Sequence, residues 1–65
     1  MNITKKIAKH KLLKTREKDL ATYEIIESFL TQKINEGETW RRDELVRVQQ
    51  KIEEYKKFIS FVKSL

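Results

Sequence analysis

Between Leu45 and Val62, apolar residues recur at intervals that alternate between three and four positions. The residues of this stripe are Leu45, Val48, Ile52, Tyr55, Ile59 and Val62. Only a helix places six side chains with this spacing along one line of its surface. The pattern therefore predicts a helix whose apolar stripe has to be covered by another part of the chain.

The one glycine of the chain, Gly37, lies where a first long helix would end. Helix 1 is predicted over about residues 3–36, a turn over 37–39 and helix 2 over about 40–64. Glycine suits the left-handed position at a helix C-terminus, and Thr39 is expected to act as the N-cap of helix 2. Such a short connection between two long helices favours an all-α, antiparallel two-helix hairpin, which forms a single domain of residues 1–65.

Helix 1 offers a matching but interrupted stripe. If Leu30 faces Leu45, helix 1 covers helix 2 with a stripe of five apolar residues: Leu13, Leu20, Tyr23, Leu30 and Ile34. Two polar residues, Arg16 and Glu27, interrupt this stripe. This register pairs Tyr23 with Ile52 and Leu20 with Tyr55. It also leaves residues 1–9 as a basic overhang beyond the end of helix 2.

Several large apolar residues lie beside these stripes, where a single hairpin cannot cover them. They are Ile25, Ile26, Phe29, Val46, Phe58, Phe61 and Leu65. Exposed clusters of this kind mark interfaces, and the commonest solution is a symmetric homodimer that forms a four-helix bundle. The shape is similar to that of small hairpin proteins such as the plasmid RNA-binding protein ROP, although no motif is shared.

The length and the composition limit how the chain can be stabilised and which functions it can have. A chain of 65 residues buries a small core, and because it has no cysteine, neither disulfides nor thiolate metal sites can stabilise it. One histidine leaves no zinc site, and no catalytic motif occurs, so we expect no enzyme, cofactor or small-molecule substrate. Without a signal peptide or an apolar run of bilayer length, we expect a cytoplasmic protein without a membrane partner.

The net charge of +5 is concentrated in the first third of the chain. Its lysines are Lys5, Lys6, Lys9, Lys11, Lys14 and Lys18. On a helix, Lys11, Lys14 and Lys18 would form an outward stripe that can neutralise phosphates of a nucleic acid or contact an acidic partner. The alternative is a solubilising surface with no specific partner.

The turn carries Trp40, Arg41 and Arg42 in sequence. Trp40 is expected to cover Ile34 at the end of the bundle. Because Trp and Arg are enriched among residues that dominate binding energies, a partner hot spot is the functional alternative.

These features lead to three hypotheses of function. The first is a non-enzymatic regulator that dimerises and then modulates or inhibits a larger protein, since its size and composition are typical of phage- and plasmid-encoded regulators. The second is a nucleic-acid-binding module that uses the basic half of helix 1. The third is a structural subunit of a larger assembly.

Overall fold

The computed structural model describes residues 2–65 of the chain, with side chains from residue 3 onward. Helix α1 spans Asn2–Asn35 and helix α2 spans Arg42–Lys63, with a single 3-10 turn, Thr39–Arg41, before α2. Within the described residues there is no β-strand. The predicted overhang is helical from Asn2 onward, and Met1 lies outside the described residues.

The stripe on α2 is the side of that helix that α1 covers. Val48, Ile52, Ile59 and Val62 are buried, and Leu45 and Tyr55 are half-buried. Every other residue of α2 is exposed. The predicted stripe is therefore confirmed, because burial follows its spacing of three and four along the whole helix.

Helix α1 covers this stripe with the set that the sequence predicts. Leu30 is 2% exposed and forms the centre of the core with Val48 and Ile52, while Leu20 and Tyr23 pack against them. The two polar interruptions, Arg16 and Glu27, are half-buried. Their polar ends can reach water while their aliphatic stems lie along the seam.

Contacts between the helices make the pair antiparallel. The tyrosine rings of Tyr23 and Tyr55 lie 5.5 Å apart, and Lys63 forms an ion pair with Glu17 at 3.7 Å. The contacts Tyr23–Tyr55 and Arg16–Phe58 lie on either side of the predicted register, and Tyr23 also packs against the cluster that contains Ile52, its expected partner. Both tyrosine side chains are long enough to reach the adjacent layer, where a tilted ring contact is favourable.

A Schellman motif ends α1. The backbone N–H of Glu38 donates to the carbonyl of Lys33 at 3.0 Å, and that of Gly37 donates to the carbonyl of Ile34 at 3.0 Å. Gly37 has a φ of 110°, which confirms its predicted left-handed role because side chains strongly disfavour this backbone region.

The expectation that Thr39 caps helix 2 is wrong. Thr39 starts the 3-10 turn instead, and α2 begins only at Arg42. Main-chain carbonyls accept hydrogen bonds from two N–H groups of the 3-10 turn: the N–H of Thr39 donates to the carbonyl of Gly37, and that of Arg41 donates to the carbonyl of Glu38. No side-chain cap is formed at the start of the 3-10 turn or of α2.

Ile52→Ala tests the seam directly. Removing this buried side chain should lower the free energy of unfolding by roughly 2–5 kcal/mol, because the transfer free energy is lost and a cavity remains. The measurement is chemical denaturation followed by circular dichroism.

The matched control for this variant is Ile25→Ala, the same change at a residue that is 71% exposed. It should alter the free energy of unfolding by no more than about 0.5 kcal/mol. Equal effects of the two substitutions would contradict the burial pattern.

Candidate interaction surface

All seven apolar residues that lie beside the seams are exposed, from Ile26 at 37% to Leu65 at 76%. The whole chain has an accessible surface of 5265 Å². A compact monomer of 7.9 kDa is expected to expose about 4400 Å². The excess, about 850 Å², is close to the roughly 800 Å² that each partner contributes to a standard protein interface.

Two aromatic residues of α2 and two apolar residues of α1 lie on one side of the hairpin. Phe61 follows Phe58 by three positions and therefore lies on the same flank of α2. The guanidinium of Arg16, on α1, lies 5.7 Å from the centre of the Phe58 ring. This contact identifies which flank of α1 adjoins Phe58.

The same flank of α1 continues towards the turn. Arg16 forms an ion pair with Asp19 at 3.3 Å, and Ile26 and Lys33 follow Asp19 at intervals of seven residues. The ammonium of Lys33 in turn lies 5.6 Å from the centre of the Phe29 ring. We call this side the aromatic face and define it by its apolar members, Ile26, Phe29, Phe58 and Phe61.

The remaining predicted interface residues lie elsewhere. Ile25 is five positions from both Leu20 and Leu30, so it is on the outer side of α1, away from the seam. Val46 lies on the opposite flank of α2, and Leu65 lies just beyond the end of α2. The fold therefore brings four of the seven predicted residues together on one face and places Ile25 and Val46 away from it, while Leu65, seven positions after Phe58, lies just past the end of α2.

The middle of the aromatic face is polar. Lys51 and Glu54 lie 4.0 Å apart and, with Arg16, Tyr55 and Phe58, line a shallow depression between the helices. The two apolar pairs, Ile26 with Phe29 and Phe58 with Phe61, thus occupy opposite ends of the face. Charged side chains of both signs lie between them.

Ion pairs at the turn hold Arg41 in place. Its Nε donates to Oε1 of Glu38 at 2.7 Å, and its guanidinium also contacts Glu44 at 3.4 Å and lies over the Phe29 ring. The hydrogen bond to Glu38 raises the pKa of Arg41 above its usual value. Sequence reasoning missed this network and named Arg41 only as a hot-spot candidate, because the network depends on how the turn folds.

Trp40 does not cover the end of the bundle as expected. Its side chain is 73% exposed, and Arg42 beside it is exposed too. The reason is local, since Trp40 belongs to the 3-10 turn, two residues before α2 begins at Arg42. An exposed indole at the tip of the hairpin leaves the hot-spot alternative in place.

The hairpin brings two basic segments together at its open end. Residues 2–18 hold seven Lys or Arg and one acid, and residues 56–65 hold three lysines and no acid, so this end carries a formal charge of +9. Residues 19–55 hold five bases and nine acids, a charge of −4. Sequence reasoning placed the basic character mainly in the first segment, because the second lies about 40 residues further along the chain and only the hairpin brings the two together.

The candidate lysines differ in their surroundings. Lys5, Lys6, Lys11, Lys14 and Lys18 are exposed, as an outward basic surface requires. Lys9 is half-buried, and its Nζ donates to the carbonyl of Lys63 at 3.5 Å across the open end. It therefore also has a structural contact.

Two further apolar residues are exposed near the start of α1, Ile3 at 75% and Ile7 at 51%. They were not among the predicted interface residues. The register that left this segment as an overhang already implied that α2 could not cover them.

Comparisons of the chain with protein-family models, with curated proteins and with solved structures give no match. Across the part of the chain that the structure describes, no cluster of three His, Cys, Asp or Glu residues is arranged to hold a metal ion. Nor does either helix, over the same residues, have a stretch long and apolar enough to cross a membrane.

Proposed function

We propose that this protein is a small non-enzymatic interaction protein that forms a homodimer through its aromatic face and then binds and modulates a larger protein. The observation that supports the proposal is the grouping of Ile26, Phe29, Phe58 and Phe61 on one side of a hairpin whose core cannot cover them. Two such hairpins, joined face to face, would form a four-helix bundle.

The surface area is large enough for a dimer interface, because an elongated hairpin exposes more surface than a compact chain of the same mass. The accessible surface exceeds that of a compact monomer by about 850 Å², which is close to one partner's share of a standard interface. Aromatic side chains contribute most to such interfaces because each buries a large area. The aromatic face has two phenylalanines on α2 and one on α1.

The tip of the hairpin supports binding to a second, larger protein. Trp40 is 73% exposed and lies next to the exposed Arg42. It is on the 3-10 turn and is not a member of the aromatic face. Trp and Arg are the residue types most often found to dominate the binding energy of protein interfaces.

A second candidate function is binding of a nucleic acid at the open end. The supporting observation is that α1 and α2 together place ten basic residues and a single acid there. Lysines at such a density neutralise phosphates and give salt-sensitive binding with little sequence preference.

Phe61→Glu tests the dimer. The substitution buries an unpaired charge beside Phe58 in the dimer interface, which destabilises the dimer. The mass measured by light scattering should therefore shift from about 16 kDa towards the monomer value of 7.9 kDa. Circular dichroism should show that the variant remains helical, because Phe61 is outside the seam.

Ile25→Glu is the control for this variant, since it introduces the same charge on the outer side of α1. It should leave the dimer mass unchanged. If the unmodified protein already has a mass of 7.9 kDa at high concentration, the dimer proposal is wrong.

Trp40→Ala tests the protein partner. Affinity capture from the native host, with the tagged protein as bait, should recover a partner protein in stoichiometric amount. The variant should lose that partner, because truncation of a central hot-spot residue typically costs more than 2 kcal/mol, roughly thirtyfold in affinity. Ile25→Ala should retain it, and retention by both variants would remove Trp40 from the proposal.

The second candidate is tested with the double substitution of Lys11 and Lys18 by Glu. A titration against double-stranded DNA and RNA at low salt should show binding that the double variant abolishes. The control replaces Arg42 and Arg47 by Glu, which changes the net charge equally but at the turn end. Absence of binding by the unmodified protein, or equal losses in both double variants, would count against a nucleic acid site at the open end.

A further inference from the structure

We propose that the two copies join in an antiparallel way, with the turn of each hairpin beside the open end of the other. In this arrangement the Lys51–Glu54 pair lies at the two-fold axis. This inference rests on the dimer proposed above and specifies its geometry. A parallel alternative, with both turns at the same end, would use the same aromatic faces and has to be distinguished from it.

The charge distribution along the hairpin favours the antiparallel arrangement. Packed helix axes lie about 8–10 Å apart, which is close to one Debye length at physiological salt, so neighbouring charges still interact. A parallel dimer would place two open ends of +9 side by side. An antiparallel dimer places residues 10–18 and 56–65 of each open end beside a turn half of −4, while residues 2–9 extend beyond the turn of the second copy.

The apolar ends of the aromatic face locate the two-fold axis. Because Tyr23 faces Tyr55 and Arg16 faces Phe58, Phe29 is roughly level with residue 47 of α2. The midpoint between that level and the Phe58–Phe61 pair is near residue 53. A two-fold axis at this height brings Ile26 and Phe29 of one copy into the layers that hold Phe58 and Phe61 of the second copy.

The charged residues at this midpoint can pair with the same residues of the second copy. Lys51 and Glu54 lie on either side of it and are already 4.0 Å apart within one chain. Rotation by 180° about the axis places Lys51 of one copy opposite Glu54 of the second copy, and the reverse. Two copies thereby form two opposite-charge contacts between the apolar ends of the face, in place of like charges.

Distances between spin labels distinguish the arrangements. The chain contains no cysteine, so a single introduced cysteine carries the only label. The exposed positions Ile25, on the outer side of α1 near the midpoint, and Asn35, at the turn, are suitable for Ile25→Cys and Asn35→Cys. The measurement is double electron–electron resonance on each labelled variant at a concentration where light scattering shows a dimer.

The antiparallel arrangement predicts a short distance for Ile25→Cys, below about 25 Å, and a long one for Asn35→Cys. The long distance is about 40 Å, since Asn35 is twelve residues from the midpoint and each residue adds about 1.5 Å on both copies. A parallel dimer would give short distances for both labels and would overturn the inference while leaving the dimer intact. A chain that shows no intermolecular distance and has a monomer mass would overturn the dimer itself.

Charge reversal tests the contact at the axis. Lys51→Glu and Glu54→Lys should each raise the dissociation constant of the dimer by about tenfold, because each creates like-charge contacts across the axis. The double variant should restore the original dissociation constant. Weakening by the single variants without restoration in the double variant would show that these residues do not face each other across the axis.

Discussion

The burial of one narrow apolar stripe on α2 against α1 is the interaction on which the rest of the structure depends. Only six residues of α2 turn away from solvent, and among the described residues α1 is the element that covers them. A contact limited to one line of each helix leaves both flanks open. The aromatic face is therefore a direct consequence of how two helices, and no third, share the chain.

This constraint also explains why the hairpin has two chemically different ends. The Schellman motif at Gly37 reverses the chain, so the first and last segments of the sequence meet at the open end. Both segments are basic, while the acids lie mainly in between. In a molecule of 55 × 14 × 11 Å, the positive charge is therefore at the open end and the negative charge at the turn end. This separation favours an antiparallel approach of a second copy.

Much of this fold could be predicted from spacing alone, because period and burial are directly linked in a helix. The stripe from Leu45 to Val62, the break at Gly37 and the exposure of Phe29 and Phe61 all follow from positions in the sequence.

Details that depend on three-dimensional turn geometry could not be predicted in the same way. From the sequence, Thr39 is expected to be a cap and Trp40 to cover Ile34 at the end of the bundle, whereas the 3-10 turn leaves Trp40 exposed and joins Arg41 to Glu38. The division of the exposed residues into faces also required the structure, since Ile25 and Ile26 are neighbours in sequence but lie on different sides of α1.

The central proposal is that a second copy covers the aromatic face of this hairpin and thereby adds to its stability. The most direct test is the midpoint of thermal unfolding, measured by circular dichroism over at least a hundredfold range of protein concentration. A dimer that unfolds to separate chains predicts a midpoint that rises steadily with concentration, because mass action favours the associated state. A midpoint that does not change with concentration, from a particle of 7.9 kDa, would contradict the account.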